Sequence, residues 1–261
     1  VLSSTGLINY FGQWKDLEKI QVTPIILQKN NTKIALYGLN HIPDRRLNNL
    51  MSNKAFKIGI PDLIEDAFCM FVLHQNRADR GARNYIMENM LPAFLSLVIW
   101  GHEHDCRIEP EASKNTFVVQ PGSSVATSLS QGESIEKKVG ILEIHGKEFK
   151  LTPVALRTVR PFIFRSIEIK DYEDELKTMR GDTRDRIEKL LDGIVKEMIE
   201  EAKGRISGHS RQPKLPLLRL RVSYDDNQYL INPKRFGQNY ASLIANADDL
   251  LLYKRNIKRT K

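Results

Sequence analysis

Five short apolar runs, TKIALYGL (32–39), FCMFVL (68–73), LSLVIW (95–100), TFVVQ (116–120) and VGILEI (139–144), constrain the fold more than any other feature of the chain. Each is five to eight residues long, rich in β-branched and aromatic types, and bounded by Gly, Pro, Asn or His. Runs of that kind read as strands buried within a sheet. Between the second and third, ARNYIMENMLPAFL (82–95) carries a helix-like pattern, so the sequence predicts helices packed on the sheet and an α/β class. At 261 residues, 41% of them apolar, the chain can bury a real core.

The pattern changes near Arg160. PFIFRSIEI (161–169) alternates apolar and polar residues as a half-exposed strand does. From Arg184 to Ala202, Ile187, Leu190, Leu191, Ile194, Val195, Met198, Ile199 and Ala202 keep the spacing that lines one helix face. Asp182 or Thr183 suits its N-cap and Gly204 its end, with Asp185–Lys189 and Asp192–Lys196 as i,i+4 pairs. LLRLRVSY (217–224) then sets Leu218, Leu220, Val222 and Tyr224 against Arg219, Arg221 and Ser223, one face apolar and the other basic. Two domains are expected, residues 1–158 and a smaller α+β domain over 159–261. Two terminal patterns stand apart: a helix-like apolar series at Leu2, Gly6, Leu7, Tyr10 and Phe11, and the basic ending YKRNIKRTK (253–261).

No apolar stretch approaches the roughly 20 residues that span a bilayer, so no membrane association is expected. Two distant cysteines, Cys69 and Cys106, form neither a disulfide framework nor a CxxC pair, and both read as core or near-site thiols. The formal charge of +8 suits an anionic partner such as nucleic acid and equally suits an ordinary charged surface.

Chemistry points to the histidines. VIWGHEHDC (98–106) places His102 and His104 one residue apart at a strand exit, on one side if the strand direction continues through Glu103. Gly101, lacking a Cβ, allows close backbone approach. FCMFVLHQNR puts His74 at the exit of another buried strand. Ligands at the ends of neighbouring strands gather at one sheet edge, and imidazole suits first-row transition metals. His74, His102 and His104 are therefore the candidate metal ligands, while His41, His145 and His209 read as structural. A dinuclear phosphoester-cleaving centre also needs a bridging carboxylate and a general acid, and no D-x-H or G-N-H-[DE] motif occurs in the chain.

With GHEH after one apolar strand and LHQNR about 30 residues earlier, the sequence resembles the calcineurin-like metallophosphoesterases. KIALYGL, IPD-x-RL, LHQNR, LVIWGHEHDC, QPGSSVATSLS-x-GE, VGIL, VRPF and QPKLPLLRLRV follow in the order typical of one branch. That branch is the eukaryotic meiotic-recombination-eleven family of double-strand-break repair nucleases, and the similarity runs from about Leu2 to Tyr253. The resemblance implies a four-layer β-sandwich flanked by helices, of which this chain holds the C-terminal part, followed by a DNA-binding capping domain. It implies a manganese-dependent nuclease, with single-strand endonuclease and 3′ to 5′ exonuclease activity and two Mn2+ per complete site. His74 and His102 would share one manganese and His104 would bind the other. A nuclear homodimer is implied, working on DNA with a coiled-coil ATPase of the structural-maintenance-of-chromosomes type and a nibrin-like adaptor.

The sequence departs from that pattern in two ways. The family's first three motifs, including its catalytic histidine, are absent, so a chain beginning at Val1 is expected to lack nuclease activity and to leave TKIALYGL at an exposed sheet edge. Met87 stands where the family has proline, which bears on the adaptor contact. Two other readings compete: a non-catalytic DNA- or partner-binding form, and a metallophosphatase of the same superfamily. No individual DNA-binding residue is singled out.

Overall fold

The structure is a computed structural model describing residues 2–14, 16, 18–60, 65–114 and 116–256. The chain divides into two compact units, residues 1–123 with 138–155, and residues 124–137 with 156–261. A single cut near 158 follows the change in composition; the division by packing also sends the 124–137 loop to the second unit.

The first unit runs β1 (Ile20–Val22), β2 (Ile25–Lys29), β3 (Thr32–Leu39), α1 (Asp44–Ser52), β4 (Phe56–Ile58), β5 (Ala67–His74), β6 (Leu97–Gly101), β7 (Arg107–Ser113), β8 (Thr116–Gln120), β9 (Lys138–His145) and β10 (Glu148–Ala155). Its main sheet has the order β2-β3-β5-β6-β8-β7, and the four central strands, β3, β5, β6 and β8, are parallel. Four of the five apolar runs form these strands, as sheet burial on both faces requires. One face packs Tyr37, Phe71, Val98 and Trp100 against Leu47 of α1, Ile86 and Leu95. The other packs Phe68, Leu97, Ile108 and Val119 against Leu142, Ile144, Phe149 and Leu151 of a β9–β10 hairpin. The class is mixed α/β.

Four expectations are corrected by the structure. VGILEI is not a buried strand of the main sheet; it lies in the antiparallel hairpin, with Ile141 exposed and Leu142 turned to the core. The 82–95 stretch is no α-helix but a single 3-10 turn, Glu88–Met90. Its Ile86 N–H is committed to the Asn76 carbonyl (3.0 Å), and Leu91 is extended, as a residue before proline prefers. The N-terminal apolar series folds as a turn around Gly6 (φ +74°) and leaves Leu2, Leu7 and Tyr10 exposed. At the sheet edge, antiparallel β2 covers β3, and it is β2 whose residues are all exposed.

The second unit runs β11 (Phe162–Glu168), α2 (Glu173–Thr178), α3 (Thr183–Gly204), β12 (Leu217–Tyr224), α4 (Pro233–Gln238) and β13 (Leu251–Arg255). Its sheet, β11-β12-β13, is all parallel. The full apolar stripe of α3 is buried, in one cluster with Leu218, Leu220 and Val222 of β12. The Asp182 carboxylate caps α3 by accepting from the Asp185 N–H at 2.8 Å. The stretch Gly181–Asp185, GDTRD, has a G-D-x-x-D spelling and serves as a helix start. Asp192 pairs with Lys196 at 2.6 Å, whereas Lys189 donates to the Arg180 carbonyl at 3.0 Å instead of pairing with Asp185. Of the basic ending, Tyr253–Arg255 close β13 and 257–261 lie outside the described residues.

Candidate metal-ligand cluster at the strand exits

β5 and β6 are parallel neighbours whose last paired residues are His74 and Gly101. The carboxyl ends of adjacent parallel strands therefore bring His74 and His102 together. Their ring centres lie 5.0 Å apart at 81°. Two imidazoles on one ion, with metal–nitrogen bonds of about 2.1 Å, have ring centres about 5 Å apart. Gly101 makes this approach possible in a way the sequence did not indicate: a Cβ there would meet His74 Nδ1 at 3.0 Å, so the vacant space belongs to the His74 ring.

The strand direction does not continue past Gly101. His102 has φ +82°, a left-handed backbone that side-chain-bearing residues seldom adopt, so the condition that the strand direction continue through Glu103 is not met. His104 is exposed, on a loop whose position is set from behind: its carbonyl accepts from the Ser123 N–H at 3.2 Å. Gly122 of the QPGSS segment sits so close that a Cβ would lie 2.7 Å from the backbone of His104 and Asp105. His104 lies near enough to act electrostatically on His74, and a further ring packed on the pair is that of His41, from the β3–α1 loop, read from its turn-like surroundings as structural. Its ring lies 12° from parallel with that of His102, centres 5.8 Å apart, and edge-on to His74 at 6.2 Å.

The residues between the histidines hold the strand exits in place. Gln75 is fully buried; it accepts from the Ile42 N–H (2.9 Å) and donates to the Ile42 carbonyl (2.6 Å) and to Asp44 (2.9 Å). Asn76 donates to Asp44 from its backbone (3.0 Å) and side chain (2.7 Å). The Arg77 guanidinium pairs with Glu88 at 2.7 Å and with Glu111. Glu103, between the two histidines, turns away from the rings and accepts from the Arg77 N–H (2.8 Å), the Ala78 N–H (2.9 Å) and Arg80 (3.0 Å). Burial alone would raise the Glu103 carboxyl, but the two amide donors and the Arg80 guanidinium outweigh it and hold it below the ordinary carboxylate range. His74 is held below its usual range by the partial burial of its ring and by the neighbouring His102, His41 and His104, which keeps it neutral and able to donate a lone pair.

His74 and His102 have the chemistry and spacing of neighbouring metal ligands. They do not complete a site: among the described residues no group of three or more His, Cys, Asp or Glu side chains is arranged to hold a metal ion.

In the second unit, the outward face of β12 carries the expected arginines, though they are engaged. Arg221 lies over the Phe164 ring at 5.4 Å and donates to Ser166 at 3.0 Å, and Arg219 bonds the Asp249 carbonyl. Arg165 of β11 pairs with Glu197 (2.6 Å) and Glu201 (3.4 Å) of α3. No helix among the described residues is long and apolar enough to cross a membrane.

Residues 149–261 match the family model described as "Mre11 DNA-binding presumed domain". The chain is 40% identical over 259 residues to the double-strand break repair protein MRE11 of Macaca fascicularis, covering 98% of this chain and 37% of that protein. The same figures hold for the Gallus gallus protein of that name. The Arabidopsis thaliana protein is 38% identical over 271 residues, covering 99% of this chain and 37% of its own length. The chain thus spans a little over a third of the relatives it matches.

Proposed function

The chain belongs to the MRE11 family of double-strand break repair proteins, and from that membership we propose that it is a segment of a DNA-repair nuclease subunit acting in the nucleus. Its first unit is part of a four-layer metallophosphoesterase sandwich, and its second caps DNA. His74 and His102 would hold one manganese ion and His104 the other, with further ligands completing the site. When bound, such ions activate water and offset charge on the phosphoryl oxygens of DNA. The residues of this chain present imidazoles at the exits of β5 and β6 and fix those exits through Gln75, Asn76 and Glu103. The subunit is a homodimer that works with a coiled-coil ATPase and a nibrin-like adaptor.

The observation that carries this reading is the meeting of His74 and His102 at the ends of two adjacent parallel strands. Its test is Mn2+ binding to the full chain, followed by electron paramagnetic resonance of the free ion. Weak binding that His102→Ala abolishes is expected; binding that survives His102→Ala, or none in the parent chain, rejects it.

The incomplete ligand set favours one second reading, a non-catalytic DNA-binding form. Under it the chain binds single-stranded DNA with an affinity that falls as salt rises, and leaves the strand uncut in Mn2+. Mn2+-dependent cleavage lost in His104→Ala rejects that reading in favour of the nuclease.

A further inference from the structure

We propose that His41 is a positioning residue that holds the imidazoles of His74 and His102 in register from a single point. The inference rests on reading those two as metal ligands only where metal affinity is concerned; their placement stands apart from it. His41 Nδ1 lies 3.1 Å from the His74 carbonyl oxygen. A carbonyl only accepts, so Nδ1 carries the proton and donates, which fixes the tautomer. The same ring packs nearly parallel to His102 and meets His74 edge-on. One side chain thus touches the end of β5 through its backbone and the residue after β6 through its ring.

Distances distinguish this role from that of a third ligand. Ligand rings sharing an ion lie about 5 Å apart centre to centre. The His74–His102 separation is 5.0 Å, while His41 stands 5.8 and 6.2 Å away, and its ring faces His102 instead of converging with it. Its Nδ1 is already occupied. Need for such a support arises at His102. The strand ladder between β5 and β6 ends at Gly101, and the left-handed backbone of the next residue has to be held by contacts from elsewhere. The contacts of His41 supply them from the β3–α1 loop. That loop is itself pinned by both Gln75 bonds to Ile42.

Histidine-labelled full chain, examined metal-free by NMR, tests this. The reporter is the nuclear Overhauser effect between the His74 and His102 rings, with the relaxation of each ring. In His41→Ala the effect is expected to fall several-fold as His102 samples other rotamers. His41→Phe keeps the ring packing and should retain the order of His102. His41→Asn keeps a donor for the His74 carbonyl and should retain the fold while loosening His102, so a misfolded Ala variant does not decide the question. In parallel, the Mn2+ dissociation constant is expected to rise about 10-fold in His41→Ala, the scale for a support behind a metal ligand. An inter-ring effect of parent intensity in both His41→Ala and His41→Asn overturns the positioning role, whatever the metal does. A lost effect in a chain whose parent form binds no Mn2+ leaves the role standing and rejects the metal reading above.

Discussion

The exits of β5 and β6 and the sheet of β11, β12 and β13 are both built on parallel strands, and they are held together by different means. In the second unit, α3 and β12 interlock through an apolar cluster, with Leu191, Val195, Met198, Leu218, Leu220 and Val222 fully buried and the charges outside. At the first unit's strand exits, buried Gln75 and Asp44 and part-buried Glu103 satisfy backbone groups of Ile42, Asn76, Arg77 and Ala78, beside a residue with left-handed backbone. The difference teaches where tolerance lies. An apolar cluster registers volume; a buried polar network registers partners, so a replacement of equal size can still be costly there.

The largest expected effect is Leu220→Ala. It should lower unfolding free energy by about 2–5 kcal/mol, read by urea denaturation, because the surrounding cluster relaxes only partly into the space. Gln75→Leu, similar in size, follows at about 2–3 kcal/mol, because it strips partners from the Ile42 amide and carbonyl and from Asp44. A loss below about 0.5 kcal/mol there would break the comparison. Acid sharpens it. Glu103 and Glu88 have folded-state pKa values below their ordinary value of 4.5, so their contribution is fully present above that pH and is lost as pH falls through the lowered values. Denaturation midpoints measured from pH 6 to pH 3 should fall over that range, and Glu103→Gln should flatten the fall. Smallest is Asp182→Ala at the start of α3, about 1 kcal/mol by thermal melting, a cap lost from a helix whose buried face is untouched.

This contrast also explains what the sequence revealed. The α3 stripe and the alternation of β12 were legible because burial against one face repeats with the period of the backbone. Four of the five apolar runs became central strands for the same reason, and the exits of two of them brought His74 and His102 together. His41 was illegible: nothing local marks a turn residue that meets its partners across 33 and 61 positions. Periodicity also misled at 82–95, where apolar spacing suited a helix but the backbone bonds the Asn76 loop. The alternation argument for His104 failed on one dihedral angle, which no residue pattern encodes. Glu103 could have been read differently, since an acid between two ligand candidates has either the ion or nearby amides to bind, and here it has the amides.

The crowding around Gly122 has a consequence for any attempt to reshape this protein. Because a Cβ on that residue would lie 2.7 Å from the 104–105 main chain, a library randomised at position 122 should return one letter. The loop that presents His104 is therefore governed from eighteen residues away by an atom that is absent. Redesign of this edge has to begin at that empty position and not at the imidazoles.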